Sequence, residues 1–135
     1  MARMNVLYAA HSGLRYLVLL VAILVVAHAL IQLARKRPYD ATSARLLRGY
    51  VGVLDVQVLL GLALLFLRPF YPALLGHIGM MAGAAIAAHF TSVRLRRMEP
   101  ETRSHGRQLA GVALSLALIL AGIMAIGRGI FTSTV

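Results

Sequence analysis

The chain of 135 residues contains no cysteine. That excludes disulfides, covalent attachment of a c-type haem through a CxxCH motif and iron–sulfur clusters held by thiolates. It leaves room for a cofactor held by histidine, of which there are five. Acids are scarce too: four Asp and Glu stand against fourteen Lys and Arg, a net charge of +10. There is no HExxH, no serine-nucleophile motif, no phosphate-binding glycine loop and no carboxylate cluster. Hydrolytic and phosphoryl-transfer chemistry therefore has no recognisable site.

Polar sequence is the other thing in short supply. Sixty per cent of residues are hydrophobic and 13% are charged, with mean hydropathy +0.81. An ordinary soluble domain of this size has no need of so much apolar surface, so the composition points to an integral membrane protein that forms one domain, residues 1–135. Hydropathy divides it into four expected spans, approximately 7–33, 50–67, 72–93 and 108–126. The first is too long for the apolar region of a cleaved leader, and no small-x-small cleavage site follows it. Pro38 is expected to stop it, and Asp40, Thr42 or Ser43 to cap a helix after it. The tight turn Arg68-Pro69-Phe70-Tyr71-Pro72 makes spans two and three an antiparallel hairpin. Ser104 is expected to cap span four and to put His105 in its first turn.

The positive charge is not spread evenly. Residues 34–49 hold Arg35, Lys36, Arg37, Arg45 and Arg48, and residues 94–107 hold Arg94, Arg96, Arg97, Arg103 and Arg107. These are ten of the fourteen cations, in two short stretches between apolar segments. No aromatic platform for stacking bases accompanies them, so no nucleic-acid partner is expected and the lipid bilayer is the expected environment. The positive-inside rule puts both stretches in the cytoplasm and both termini outside, and short connections favour an up-down-up-down four-helix bundle, all-α in class.

The third span, PALLGHIGMMAGAAIAAHFTSV, carries the densest set of candidates. Gly76, Gly79 and Gly83, the last two in GxxxG spacing, let another helix or a flat ligand approach its backbone. His77 and His89 lie near its two ends, and ionisable groups in a span are functional candidates. Counting depth from the expected topology gives an outer set, His11 and His77, and an inner set, His28, His89 and His105. Two histidines from facing helices at matched depth suit the two axial positions of a haem. His77 and His89 are about 18 Å apart along a helix axis, which suits one cofactor per leaflet. The plainer reading, polar contacts between helices or with carbonyls and headgroups, stands beside this, above all for His105 and His28. Asp55 is the only acid within a span. It is expected either to form a structural ion pair with Arg15, assisted by Gln57, or to act in a proton relay; Arg15 alternatively neutralises a haem propionate. Met80 and Met81 read as packing.

In these residues the chain resembles a group of small four-helix bacterial membrane proteins labelled cytochrome b-like. The resemblance lies in His11-Ser12-Gly13-Leu14-Arg15-Tyr16, Arg37-Pro38-Tyr39, Leu54-Asp55-Val56-Gln57 with Leu59-Leu60-Gly61, His77 through Met81, His89 and His105-Gly106-Arg107, and it covers most of the chain in order. His28 lies outside the pattern, and glycine precedes His77 where relatives have an acid. The resemblance implies haem b, one or two, with His11, His77, His89 and His105 as iron ligands, paired His11 with His77 and His89 with His105, and Arg15 tuning charge beside the outer site. The functional expectation is then an electron carrier of the bacterial inner (cytoplasmic) membrane, in a respiratory or photosynthetic chain and not an enzyme by itself, with other membrane protein subunits or a homodimer as partners. The rival is a cofactor-free accessory subunit packed on a larger complex. A third reading, a small transporter with Asp55 and Arg15 in a proton path, lacks the inverted repeat or broken helix that would support it.

Overall fold

The computed structural model of the chain describes residues 2–131, and side chains from residue 6. Four helices account for nearly all of them: α1 (Ala2–Ala34), α2 (Ala41–Leu67), α3 (Ala73–Arg97) and α4 (His105–Ala125), with one short 3₁₀ turn at Pro100–Thr102 before α4. All four are long and apolar enough to cross a membrane, which makes this a multi-pass, all-α membrane bundle. Its outward surface is correspondingly apolar, with Leu20, Ile23, Leu59, Phe66, Ile86 and Phe90 each more than half exposed.

The helix ends follow from local chemistry. Lys36 takes a left-handed conformation (φ 51°) just past α1, and the Arg37 N–H reaches back to the Gln32 carbonyl at 3.0 Å. This is the bond pattern that closes a helix, and it precedes Pro38. Asp40 then caps α2: its carboxylate accepts from the Ser43 N–H and the Ser43 hydroxyl, both at 2.8 Å. That cap starts α2 at Ala41, nine residues ahead of the expected span, because residues 41–49 are helical without being apolar enough to read as membrane. Ser104 caps α4 as expected, accepting from the Arg107 N–H at 3.2 Å. At its far end α4 closes on Gly127 (φ 69°).

The helices form a ring, α1 on α2, α2 on α3, α3 on α4 and α4 on α1, with α3–α4 the tightest seam and α2–α3 the loosest. The glycines that bring α3 and α4 together are on α4. A Cβ on Gly111 would land inside the Thr91 side chain, and one on Gly122 would meet Met81 Cε at 2.5 Å and Met80 Cβ at 3.0 Å. The expected GxxxG face of α3 matters less: Gly83 lies only in tight contact with Leu118, and Gly79 faces open space. Between the helices runs a fully buried core of Val18, Ala22, Val25, Tyr50, Leu54, Ala84, Ala88 and Val112. One polar chain crosses it. Tyr50 donates to Ser115 Oγ at 2.7 Å, and Ser115 donates to the Ala84 carbonyl at 2.8 Å, so α2, α4 and α3 are joined at mid-height.

Both basic stretches lie at one end of the bundle, where the Tyr39 hydroxyl of the first donates to Gln108 Oε1 of α4 at 2.6 Å. Burial raises the Tyr39 pKa above its usual value, so the phenol keeps the proton it donates. The other end carries the α2–α3 turn.

Candidate functional site

At the turn end the four helices spread around a cavity of about 620 Å³, within the range of small-molecule and cofactor sites. Its floor is apolar, with Val18, Leu54, Met81, Ile119 and Ile123. Its walls carry His11, Arg15, Gln57 and His77, and its mouth Tyr8, Arg68, Tyr71 and Arg128. Arg68 stacks on the Tyr8 ring with its guanidinium carbon 4.0 Å from the centroid, and Arg128 approaches the same ring at 5.4 Å. Arg15 is buried and donates through Nη2 to the Tyr16 hydroxyl at 2.8 Å.

His11 on α1 and His77 on α3 meet here, with ring centroids 6.5 Å apart and planes at 79°. Their matched depth places them as the sequence suggests. Each ring is held by a backbone carbonyl of a neighbouring helix: His11 Nδ1 lies 3.2 Å from the Gln57 carbonyl of α2, and His77 Nδ1 lies 2.8 Å from the Gly122 carbonyl of α4. A carbonyl oxygen only accepts, so both Nδ1 atoms carry hydrogen. The Gln57 side chain completes a reciprocal clamp, donating from Nε2 to the His11 carbonyl at 2.8 Å. Its Oε1 is buried with no hydrogen-bond partner among the described residues, an acceptor in the cavity wall. Gly61, one turn beyond Gln57, sits under the His11 ring, where a Cβ would lie 3.1 Å from Cε1.

His89 and His105 are not brought together. Thr91 packs on Gly111, so His89 lies at about the depth of residue 113, some eight residues or ~12 Å along the axis from His105. His105 is instead buried (2% exposed) and edge-to-face with His28 at 6.0 Å. Its Nε2 donates to the Pro38 carbonyl at 3.2 Å and its Nδ1 lies 3.3 Å from Ser43 Oγ. His28 Nε2 reaches the same hydroxyl at 3.1 Å, and that hydroxyl donates to Asp40. Both nitrogens of His105 therefore lie against protein atoms, and the pair at the loop end is His28–His105 rather than His89–His105.

Asp55 does not meet Arg15. Among the described residues its ion pair is with His89, Nε2 to Oδ1 at 2.7 Å, across the α2–α3 seam. Two residues turn a helix by about 200°, so Gln57 faces the cavity and Asp55 faces away from it. Gln57 and Gly61 are the wall residues that the sequence reading assigned no place at the site. Their i, i+4 spacing is the signal that sets them on one helix face beside His11. Among the described residues no group of three or more metal-ligating side chains is found; axial ligation of a haem needs only two.

Comparison with family models, with curated proteins and with solved structures returns no match for this chain.

Proposed function

We propose that this protein is a membrane-integral b-type haem protein that carries electrons, with His11 and His77 as the axial ligands at the turn end. The observation that carries the reading is the state of their rings. Each gives its Nδ1 hydrogen to a backbone carbonyl of another helix, which fixes the tautomer and leaves Nε2 as the available lone pair. This is the supporting hydrogen bond that metal-bound imidazoles need. The cavity between them is mainly apolar, and Gly61 keeps the wall beside His11 thin. Arg15, Arg68 and Arg128 set positive charge in the same cavity, which suits propionate groups. Bound haem supplies the one-electron redox chemistry, and the protein supplies ligands, burial and electrostatics. The proposed setting is a bacterial inner membrane, with the basic loops in the cytoplasm and a respiratory or photosynthetic chain as the source of electrons.

The His89–His105 site is not part of this proposal, because the two rings lie at different depths and both nitrogens of the buried His105 already face protein atoms. One haem per chain is the expected stoichiometry. The test is a reduced-minus-oxidised absorption spectrum of protein purified without cofactor stripping, with haem quantified. A b-type band at one haem per chain, absent from His11→Ala and His77→Ala and retained in His89→Ala, supports the reading. Protein free of haem and of any other pigment sinks it and leaves the accessory subunit in its place.

A further inference from the structure

The His89–Asp55 pair sits where a membrane protein can least accommodate it. Asp55 is one residue from the midpoint of α2, and His89 is four residues, or ~6 Å, from the midpoint of α3. Both therefore fall inside a hydrocarbon core about 30 Å thick. Yet their side chains are 45% and 50% exposed on the outside of the bundle. The exposed apolar residues Val56, Leu59, Ile86 and Phe90 flank them. Lipid offers no donor or acceptor at that depth, so a polar pair there calls for a protein surface or a polar ligand.

The surrounding helix supports the same conclusion independently. α3 has the lowest mean hydropathy of the four spans, 1.5 against 2.1 to 2.7. It is also the least covered, with 11% of its apolar window buried inside the bundle against 28%, 28% and 33%. A bundle that stood alone in lipid would bury its least apolar helix, not expose it.

The hydrogen-bond inventory of the pair sets what chemistry can cover it. A net-neutral pair is the form a low-dielectric site tolerates. That form is either imidazolium with carboxylate or imidazole with carboxylic acid. In both, the bond between Nε2 and Oδ1 leaves Nδ1 carrying hydrogen and Oδ2 as an acceptor. The outward edge thus presents one donor and one acceptor. Such an edge is self-complementary under a twofold axis, with His89 of each copy donating to Asp55 of the other. A twofold along the membrane normal preserves depth, and two copies inserted with the same topology bring identical pairs to the same level. We propose that the α2–α3 seam is the dimer interface of this protein, with a second copy of the chain as its occupant and the His89–Asp55 pairs at its centre.

The absence of native cysteine makes the test direct. Ile86→Cys places one thiol on the α3 face, and Leu24→Cys places one on the α1 face as a control. Oxidised in native membranes, the Ile86→Cys protein is expected to run mainly as a cross-linked dimer and the Leu24→Cys protein as a monomer. Adding Asp55→Leu with His89→Leu removes both polar groups together and so leaves no orphan to unfold the chain. It is expected to lower the dimerisation constant, read from the Ile86→Cys cross-link as the protein is diluted in lipid, roughly sevenfold, the change that two lost interhelical hydrogen bonds of about 0.6 kcal/mol each produce, with helicity unchanged. A monomeric Ile86→Cys protein, equal cross-linking at both positions, or a cross-link indifferent to the double substitution overturns the proposal. A monomer that binds decylubiquinone, and loses that binding in the double variant, also overturns it and gives the pair to a lipid-soluble redox ligand. Cross-linking does not require haem, so a haem-free protein that still dimerises through Ile86→Cys separates failure of the electron-carrier reading from failure of this one.

Discussion

The bundle holds two histidine pairs in similar edge-to-face contact, His11–His77 at the turn end and His28–His105 at the loop end, with centroids 6.5 and 6.0 Å apart. Distance alone does not separate them; their hydrogen-bond partners do. At the turn end each ring spends one nitrogen on a carbonyl and keeps the other, beside a cavity. At the loop end His105 spends both, and Ser43, Asp40 and Pro38 close the space around it. Proximity of imidazoles is thus not enough to make a ligand set. The first pair keeps a nitrogen in hand beside a cavity, and the second joins α1, α2 and α4 and pins the two basic stretches together.

The sharpest way to break this contrast is to exchange the roles. His11→Ala or His77→Ala is expected to abolish b-type absorbance while leaving the bundle folded. His105→Ala is expected to keep one haem per chain and lose stability instead, because Ser43 and the Pro38 carbonyl lose buried partners at about 1–3 kcal/mol each. Haem quantification and thermal unfolding in the same detergent read both. If His105→Ala removed the haem from a protein that stayed folded, the assignment of the two ends would have to be reversed.

A finer probe acts inside the turn-end site without touching a ligand. Gly61→Ala puts a methyl 3.1 Å from His11 Cε1, so the ring must give by a few tenths of an ångström. The expected outcome is a retained haem with altered axial geometry, visible as a shift in the low-temperature spectrum or the midpoint potential, and little change in melting. A spectrum identical to the parent would mean that His11 does not ligate.

How much of this could be read from the sequence differs between the two ends for a physical reason. Depth is legible: hydropathy and helix rise place His11 level with His77, and the structure sets them together. Azimuth is not, because the spans are apolar on every side and no stripe tells which face turns inward. Depth alone leaves His28, His89 and His105 as one inner set, and the pairing of His89 with His105 that the resemblance implies fails because His89 lies on the outside of α3; Asp55, expected beside Arg15, faces the opposite way from the cavity. His28 lies outside the pattern of the resemblance; in the structure it bonds to Ser43 and pairs with His105, a partnership that depends on α2 starting at Ala41. Hydropathy alone puts that span at residue 50, whereas the expected cap, which the structure assigns to Asp40, marks the earlier start, since a cap is a matter of one carboxylate and two donors. The same limit explains the glycines: α3 advertises its small residues, whereas the close approach is made by Gly111 and Gly122, scattered along α4.

The smallest expected effect tests that cap, on which the loop-end pair rests. Bonds from the Ser43 N–H and then the Ser43 hydroxyl hold the Asp40 carboxyl below the ordinary carboxylate pKa. A depressed pKa in the folded state means that the carboxylate stabilises fully above the unfolded value, about 3.9, and ceases to do so as pH falls through the folded value. Asp40→Ala should therefore cost about 1 kcal/mol near neutrality, the ordinary cost of losing an N-cap. The gap between its melting curve and the parent's should stay constant down to about pH 5 and narrow below pH 4. Asp40→Asn caps nearly as well without a charge, so it should lose little at pH 7 and show no narrowing of its own. Coincident curves for Asp40→Ala and the parent, with no gap at any pH, would mean that Ser43 is positioned by the two histidines alone. The loop end would then be organised from α4 inward, not from the start of α2.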